Sequence, residues 1–185
     1  MKKKIILIFF FLNIFNYSYG SVESKIINNF KKIKNISFDF KQNINDNTEE
    51  GSCIIKYPKK IYCKYKNKKK KIIVSNGTSL VIKNRSGKEY FLYPLEKTPL
   101  ELILDKDFLL NKIKTLKAKL VSEKYYIFNL VNNENKINIF FDKNSFDLIG
   151  WQTEDIYQNL VITYIYNVKK NTNIKENIFK LPKQH

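Results

Sequence analysis

From Ser37 to Val168 apolar and polar residues alternate with a period of two, interrupted at Thr98 by a segment of a different kind. Phe38 and Phe40 alternate with Asp39 and Lys41, and Cys53, Ile55 and Tyr57 with Ile54 and Lys56. A period of two places successive side chains on opposite faces of a pleated strand, so each run reads as a half-buried strand. Further strands are predicted over 61–66, 71–75, 79–83, 89–93, 115–122, 124–131, 136–141, 146–153 and 159–168. Turn chemistry separates them at Asn76-Gly77, Ser86-Gly87, Asn132-Asn133-Glu134-Asn135 and Asp142-Lys143-Asn144. About ten antiparallel strands at such short spacing imply one strongly curved sheet, open or nearly closed, whose concave face collects one alternating set from every strand.

Two helical pieces accompany the sheet. Ser24 is a candidate cap for an amphipathic helix with Ile26, Ile27, Phe30 and Ile33 on one face and Lys25, Lys31, Lys32 and Lys34 opposite or flanking. The interruption reads Thr98-Pro99-Leu100-Glu101-Leu102-Ile103-Leu104: Thr98 as cap, Pro99 at the first helical position and Glu101 completing a capping box. Its side chains leave almost no polar face, so it must be covered by protein or by a bound apolar molecule. Phe108-Leu109-Leu110, after Asp107, adds to the same apolar mass. The fold class is therefore mainly β (α+β), an incomplete β-barrel with an N-terminal helix and short lid helices.

Residues 1–20 read as a cleaved export signal, with Lys2, Lys3 and Lys4 at its start, an apolar core from Ile5 to Phe15, and the small-x-small site Ser18-Tyr19-Gly20. Cleavage after Gly20 leaves a single domain, 21–185, that starts at Ser21 without a cysteine for lipid attachment. The export signal makes the pair Cys53 and Cys63 a candidate disulfide. They flank Tyr57-Pro58-Lys59-Lys60 and face each other if the hairpin loop has an odd number of residues; two buried thiols are the competing reading.

The formal net charge of +17 normally suggests nucleic acid or an anionic surface. Of the 34 basic residues, however, only Arg85 is arginine, and one guanidinium cannot supply the bidentate contacts that nucleic-acid readers use. A solvated lysine surface, with attraction to anionic lipid headgroups, fits better. The single histidine, His185, is the last residue, which removes Ser/His and Cys/His catalysis and a histidine metal site. The acidic pairs Glu49-Glu50, Asp105 with Asp107, and Glu154-Asp155 fall in turns or at a helix cap, where acids are ordinary. Gly51, Gly77, Gly87 and Gly150 are isolated and form no phosphate loop. Neither an enzyme nor a cofactor or metal is expected, and what remains is apolar surface, either core or ligand cavity.

Three stretches in order resemble the periplasmic outer-membrane lipoprotein carrier family, the LolA-like proteins. The first is Phe38-Asp39-Phe40-Lys41-Gln42 followed by Gly51 and a strand reaching Pro58, similar to the family's F-x-Q and G…P hairpin. The second runs from the Ser75-Asn76-Gly77 turn to Thr98-Pro99-Leu100-Glu101-Leu102-Ile103-Leu104, and the third from Leu148-Ile149-Gly150-Trp151 through residues 162–168 to Phe179-Lys180-Leu181-Pro182. The resemblance implies a periplasmic carrier, without cofactor, that takes acylated lipoproteins from an inner-membrane ABC transporter and passes them to an outer-membrane receptor or to the outer membrane directly. One position departs from the pattern: where family members often carry an arginine that holds the lid, this chain has Tyr57, flanked by the point-charge donors Lys56 and Lys59.

Burying a methylene is worth about 0.8 kcal/mol, so a carrier that must release its cargo should bury it only in part. The expected lid is Leu100, Ile103, Leu104, Leu109 and Leu110, covering the empty cavity and moving aside for lipid. The expected cavity lining is Phe38, Phe40, Ile55, Val74, Leu80, Ile82, Leu92, Phe128, Leu130, Ile139, Trp151, Ile162 and Tyr164, with a register that a one-residue slip reverses. A monomer is expected. The alternatives are a lipid-binding or sensing protein of the same fold and a basic secreted nucleic-acid binder.

Overall fold

The computed structural model describes residues 20–84, 86, 89–132, 135–155 and 158–184. The expected export signal, apart from Gly20, lies outside the described residues, as do Arg85, Gly87, Asn133, Glu134 and His185. Helix α1 spans Val22–Lys31 and is capped by Ser21, whose hydroxyl accepts the Ser24 amide at 3.2 Å. The cap thus sits three residues before Ser24, and Glu23 in the first turn favours that start electrostatically.

Among the described residues, eleven strands form one antiparallel sheet: β1 Asn35–Ile44, β2 Asn47–Lys56, β3 Lys60–Tyr65, β4 Lys71–Asn76, β5 Ser79–Asn84, β6 Tyr90–Pro94, β7 Lys119–Val121, β8 Tyr125–Asn132, β9 Asn135–Asp142, β10 Leu148–Glu154 and β11 Leu160–Lys170. Two further helices, α2 Glu101–Leu104 and α3 Lys106–Thr115, lie between β6 and β7. The sheet curves without closing, as expected, in the order β6-β5-β4-β3-β2-β1-β11-β10-β9-β8-β7. One strand is shorter than its pattern: α3 runs on to Thr115, and only Lys119–Val121 of the predicted 115–122 pairs.

This order dictates where the helices go. First and last strands pair at the centre, while the two edges, β6 and β7, are neighbours in sequence. Residues 95–118 must therefore carry the chain from one edge to the other, and they do so over one face. The inner face follows from the ladder. Phe38, Cys53, Cys63, Ile73 and Ile82 are successive cross-strand partners, as are Trp151, Ile139 and Phe128 in the other half. Those rows, Ile82 apart, share one apolar cluster with residues of the helices α1, α2 and α3.

The outer face carries a smaller apolar layer under the C-terminal segment. A 3-10 turn at Glu176–Phe179 packs on β3 and β4, and Phe179 is buried. Glu176 is paired with Lys56 and, at 3.0 Å, with Lys60, and these hydrogen bonds hold its carboxyl below the usual range. Clefts beside the segment are lined by Asn76, Lys180 and Leu181 on one side and by Tyr62, Ile72, Val74 and Pro182 on the other.

Four lining expectations are corrected by this register. Val74 and Leu92 pair with Val81 on the outer parity; Val74 is buried there beside the C-terminal segment, whereas Leu92 is 56% exposed. Ile162 and Tyr164 also point outward, Tyr164 being 42% exposed and stacked obliquely near Phe140. In β4 and β5 both faces are covered, so Ile72-Ile73-Val74 and Leu80-Val81-Ile82 are apolar at every position and the alternation that would fix the parity is lost. In β11 the inward residue is Thr163, buried and accepting the Gln42 side-chain amide at 2.9 Å, so the apolar pattern points to the wrong face.

Candidate functional site

The inner wall is built by Phe38, Phe40, Ile55, Leu80, Phe128, Leu130, Ile139 and Trp151, all buried in the main cluster. Ile82 has the same parity and is half-buried. The Cys53–Cys63 pair is bridged, with the two residues directly opposite across the three-residue loop Tyr57-Pro58-Lys59, and both sulfurs belong to this wall. Phe38 of β1 meets Trp151 of β10 edge-on at 6.1 Å, joining the two halves of the wall, and within the second half Phe128 meets Phe141 edge-on at 5.8 Å.

The lid candidates are pressed into this wall. Ile103, Leu104 and Leu109 are fully buried, Leu110 nearly so, and Leu100 is half-buried against the cluster. Leu102 and Ile113 are buried with them. Ile113 lies one turn beyond Leu109 on the same helix face, a relation that becomes visible once α3 is continued past Leu110. The space inside the half-barrel is thus occupied by the chain's own leucines and isoleucines, on two short helices that no strand covers from outside.

Glu101 does not complete a capping box. Thr98 turns its hydroxyl to the Leu95 carbonyl at 2.8 Å, the N-cap of α2 is Leu100 with no side-chain cap hydrogen bond, and the Glu101 carboxylate takes Lys59. Lys59 Nζ lies 2.9 Å from Glu101 Oε1 and 3.1 Å from Asp105 Oδ2, bridging the two ends of α2. Its own amide donates to the Leu104 carbonyl at 2.9 Å, and its carbonyl accepts the buried Ser75 hydroxyl at 2.9 Å. Asp105 has a second role, accepting the Phe108 amide at 3.0 Å as the cap of α3. Hydrogen bonds to Glu101 and then Asp105 raise the Lys59 ammonium above its ordinary value. The cation that holds α2 is therefore Lys59, one residue past the hairpin proline, while Lys56 is turned to Glu176 on the other face.

Tyr57 fills the position before the proline. Its ring meets Phe30 of α1 edge-on at 5.6 Å and lies 5.7 Å from Lys106 Nζ at the start of α3. Lys106 also donates to the Ile33 and Lys31 carbonyls at 2.9 and 3.2 Å, tying α3 to the end of α1. The Tyr57 hydroxyl is buried and has no hydrogen-bond partner among the described residues, and burial raises its pKa. One member of each acidic pair singled out in the sequence is engaged structurally: Glu49 pairs with Lys71, Asp105 with Lys59, and Asp155 accepts the Asn159 amide at 2.9 Å. No helix among the described residues is long and apolar enough to cross a membrane.

Comparison with known proteins places this arrangement. A LolA superfamily protein from Nitrosomonas europaea aligns over 88% of this chain and 99% of its own, with 8% identity and a TM-score of 0.47. An uncharacterized conserved protein from Thermus thermophilus aligns over 88% and 93%, with 6% identity and a TM-score of 0.51, and shares the fold. MucB in the MucA/MucB complex from Pseudomonas aeruginosa aligns over 87% of this chain and 60% of its own, with 7% identity and a TM-score of 0.46. A search of curated proteins by sequence gives no match. The family model described as "Outer membrane lipoprotein carrier protein LolA" matches residues 31–182, from the end of α1 to the proline that closes the C-terminal segment, and the chain belongs to that family.

Proposed function

We propose that this protein is a periplasmic carrier that takes the acyl chains of lipoproteins against the inner face of the half-barrel and moves them from the inner to the outer membrane. The observation that carries the reading is the lid: an apolar wall filled by Leu102, Ile103, Leu104, Leu109, Leu110 and Ile113, on helices held to the β2–β3 hairpin by the Lys59 clamp. Exchange of those side chains for acyl methylenes trades one apolar contact for another. The net affinity is then much smaller than about 0.8 kcal/mol for every methylene buried, which is what release requires. The donor in this reading is an inner-membrane ABC transporter and the acceptor a receptor or the outer membrane itself, a route that membership of the carrier family supports. Binding without catalysis is the activity this membership supports.

The clamp gives a direct test. If the closed lid competes with lipid, the observed affinity is the intrinsic one scaled by the open fraction, and removing the clamp raises that fraction. Partly exposed ion pairs are worth about 0.2–1 kcal/mol each and Lys59 makes two, so Lys59→Met should bind a fluorescent dipalmitoylated cysteine peptide about two- to thirtyfold more tightly than wild type. Saturable binding that Lys59→Met leaves unchanged or weakens would overturn the clamp, and no binding by either protein would overturn the carrier reading. Transfer of the bound peptide to acceptor vesicles separates a carrier from a lipid sensor.

A further inference from the structure

Tyr57 is turned the wrong way for an ordinary structural tyrosine. A tyrosine at a surface usually buries its ring and leaves its hydroxyl in water or on a protein acceptor. Here the residue is partly exposed while the hydroxyl is buried and unmet among the described residues. The packing does not need that oxygen: the contacts with Phe30 and Lys106 are made by the ring, and phenylalanine would make them without leaving a polar atom dry. The group lies at the junction most directly affected by lid movement. Two residues on, Lys59 holds the Leu104 carbonyl and Asp105, and Lys106 above the Tyr57 ring is the first residue of α3.

We propose that the Tyr57 hydroxyl donates a hydrogen bond to a carbonyl at the head of the bound acyl chains, and so selects lipid cargo joined by esters; the inference rests on the acyl-carrier reading above. In the empty protein the donor has no partner among the described residues; when α2 and α3 move aside, an acyl chain laid along the inner wall brings its carbonyl to it. A single fixed donor in an otherwise apolar site sets the depth and orientation of the ligand. Burial raises the phenol's pKa, so it stays neutral and keeps its proton to donate. A neutral donor suits a neutral carbonyl. The nearest cation, Lys106, is already committed to the Ile33 and Lys31 carbonyls, which leaves a free carboxylate without the charge it would need.

The test compares two probes on the purified protein: a fluorescent cysteine peptide carrying a dipalmitoyl glyceryl diester, and its dihexadecyl ether counterpart of equal chain length. A site that hydrogen-bonds its ligand rejects an analogue lacking the acceptor, so wild type should prefer the ester by about tenfold. Tyr57→Phe should bring ester affinity down to the ether level, leave ether binding unchanged, and melt no lower than wild type when empty. Equal binding of ester and ether by wild type would overturn the assignment of Tyr57 and leave the carrier reading standing, and it does so without any variant. An ester preference that survives in Tyr57→Phe would likewise overturn it. Binding of neither probe by wild type would overturn both.

Discussion

Gly51 shows how tightly single positions constrain the inner wall. A β-carbon built there would lie 2.3 Å from the Lys64 carbonyl oxygen and 2.6 Å from the Phe40 ring. Phe40 lies across this glycine and meets Tyr65 at 4.9 Å, so the ring packs where a side chain would otherwise stand. The carbonyl is part of the β2–β3 ladder and cannot yield without breaking its pairing. Gly51→Ala should therefore destabilise by about 1–3 kcal/mol, read as a fall in the urea midpoint at unchanged slope. An unaltered midpoint would mean that the ladder is softer here than the packing implies. In the sequence, Gly51 reads as an isolated strand glycine, and nothing local announces the ring above it; the contact arises from cross-strand register. Lys59 is similar. Its charge is plain in the lysine-rich hairpin, but only the return of α2 over the inner face selects it, rather than Lys56, to hold that helix.

At the scale of elements, the β2–β3 hairpin is gripped from both sides. Lys59 binds α2 on the inner face, and Lys56 and Lys60 bind Glu176 on the outer. The period of two made the hairpin and most strands readable, because most of the sheet has one apolar and one polar parity. It failed where that asymmetry is lost. Val74 belongs to a strand covered on both faces, and the covering element is a C-terminal segment whose apolar residues, Phe179 among them, carry no helical or strand period. The opposite failure occurs in β11, where a hydrogen-bonded Thr163 replaces an apolar residue on the inside. The lid was legible as apolar helix, but its cap was not: Thr98 and Glu101 have the spacing of a capping box, and tertiary partners take both side chains. Phe179 anchors the outer layer, and Phe179→Ala should lower stability by about 3 kcal/mol. Its effect belongs to the outer face, so the ester probe should bind as before below the melting transition. A loss of affinity matching the loss of stability would show that the C-terminal segment acts on the lid through the shared hairpin.

For the whole molecule, topology and charge divide the work. A sheet whose edge strands are consecutive in sequence obliges its connection to cross the face, so the position of α2 and α3 is a consequence of strand order. Charge is independent of that order. The chain carries 34 basic against 17 acidic side chains, all but one of the basic residues being lysine, while the inner face of the sheet is apolar. Lysines near an anionic membrane contribute about 1 kcal/mol each and act through a field whose reach falls from about 10 Å at 0.1 M salt to about 3 Å at 1 M. Association with phosphatidylglycerol vesicles should therefore weaken more than tenfold between about 0.05 and 0.5 M sodium chloride. Burial of acyl chains against Phe38, Ile55 and Leu130 involves no such field, so binding of the dipalmitoylated peptide over the same range should stay level or strengthen slightly. The two salt dependences separate docking from loading. If vesicle association occurs but ignores salt, the lysines do not steer the protein, and the association must come from exposed apolar residues such as Phe91, Leu92, Leu160 and Tyr164.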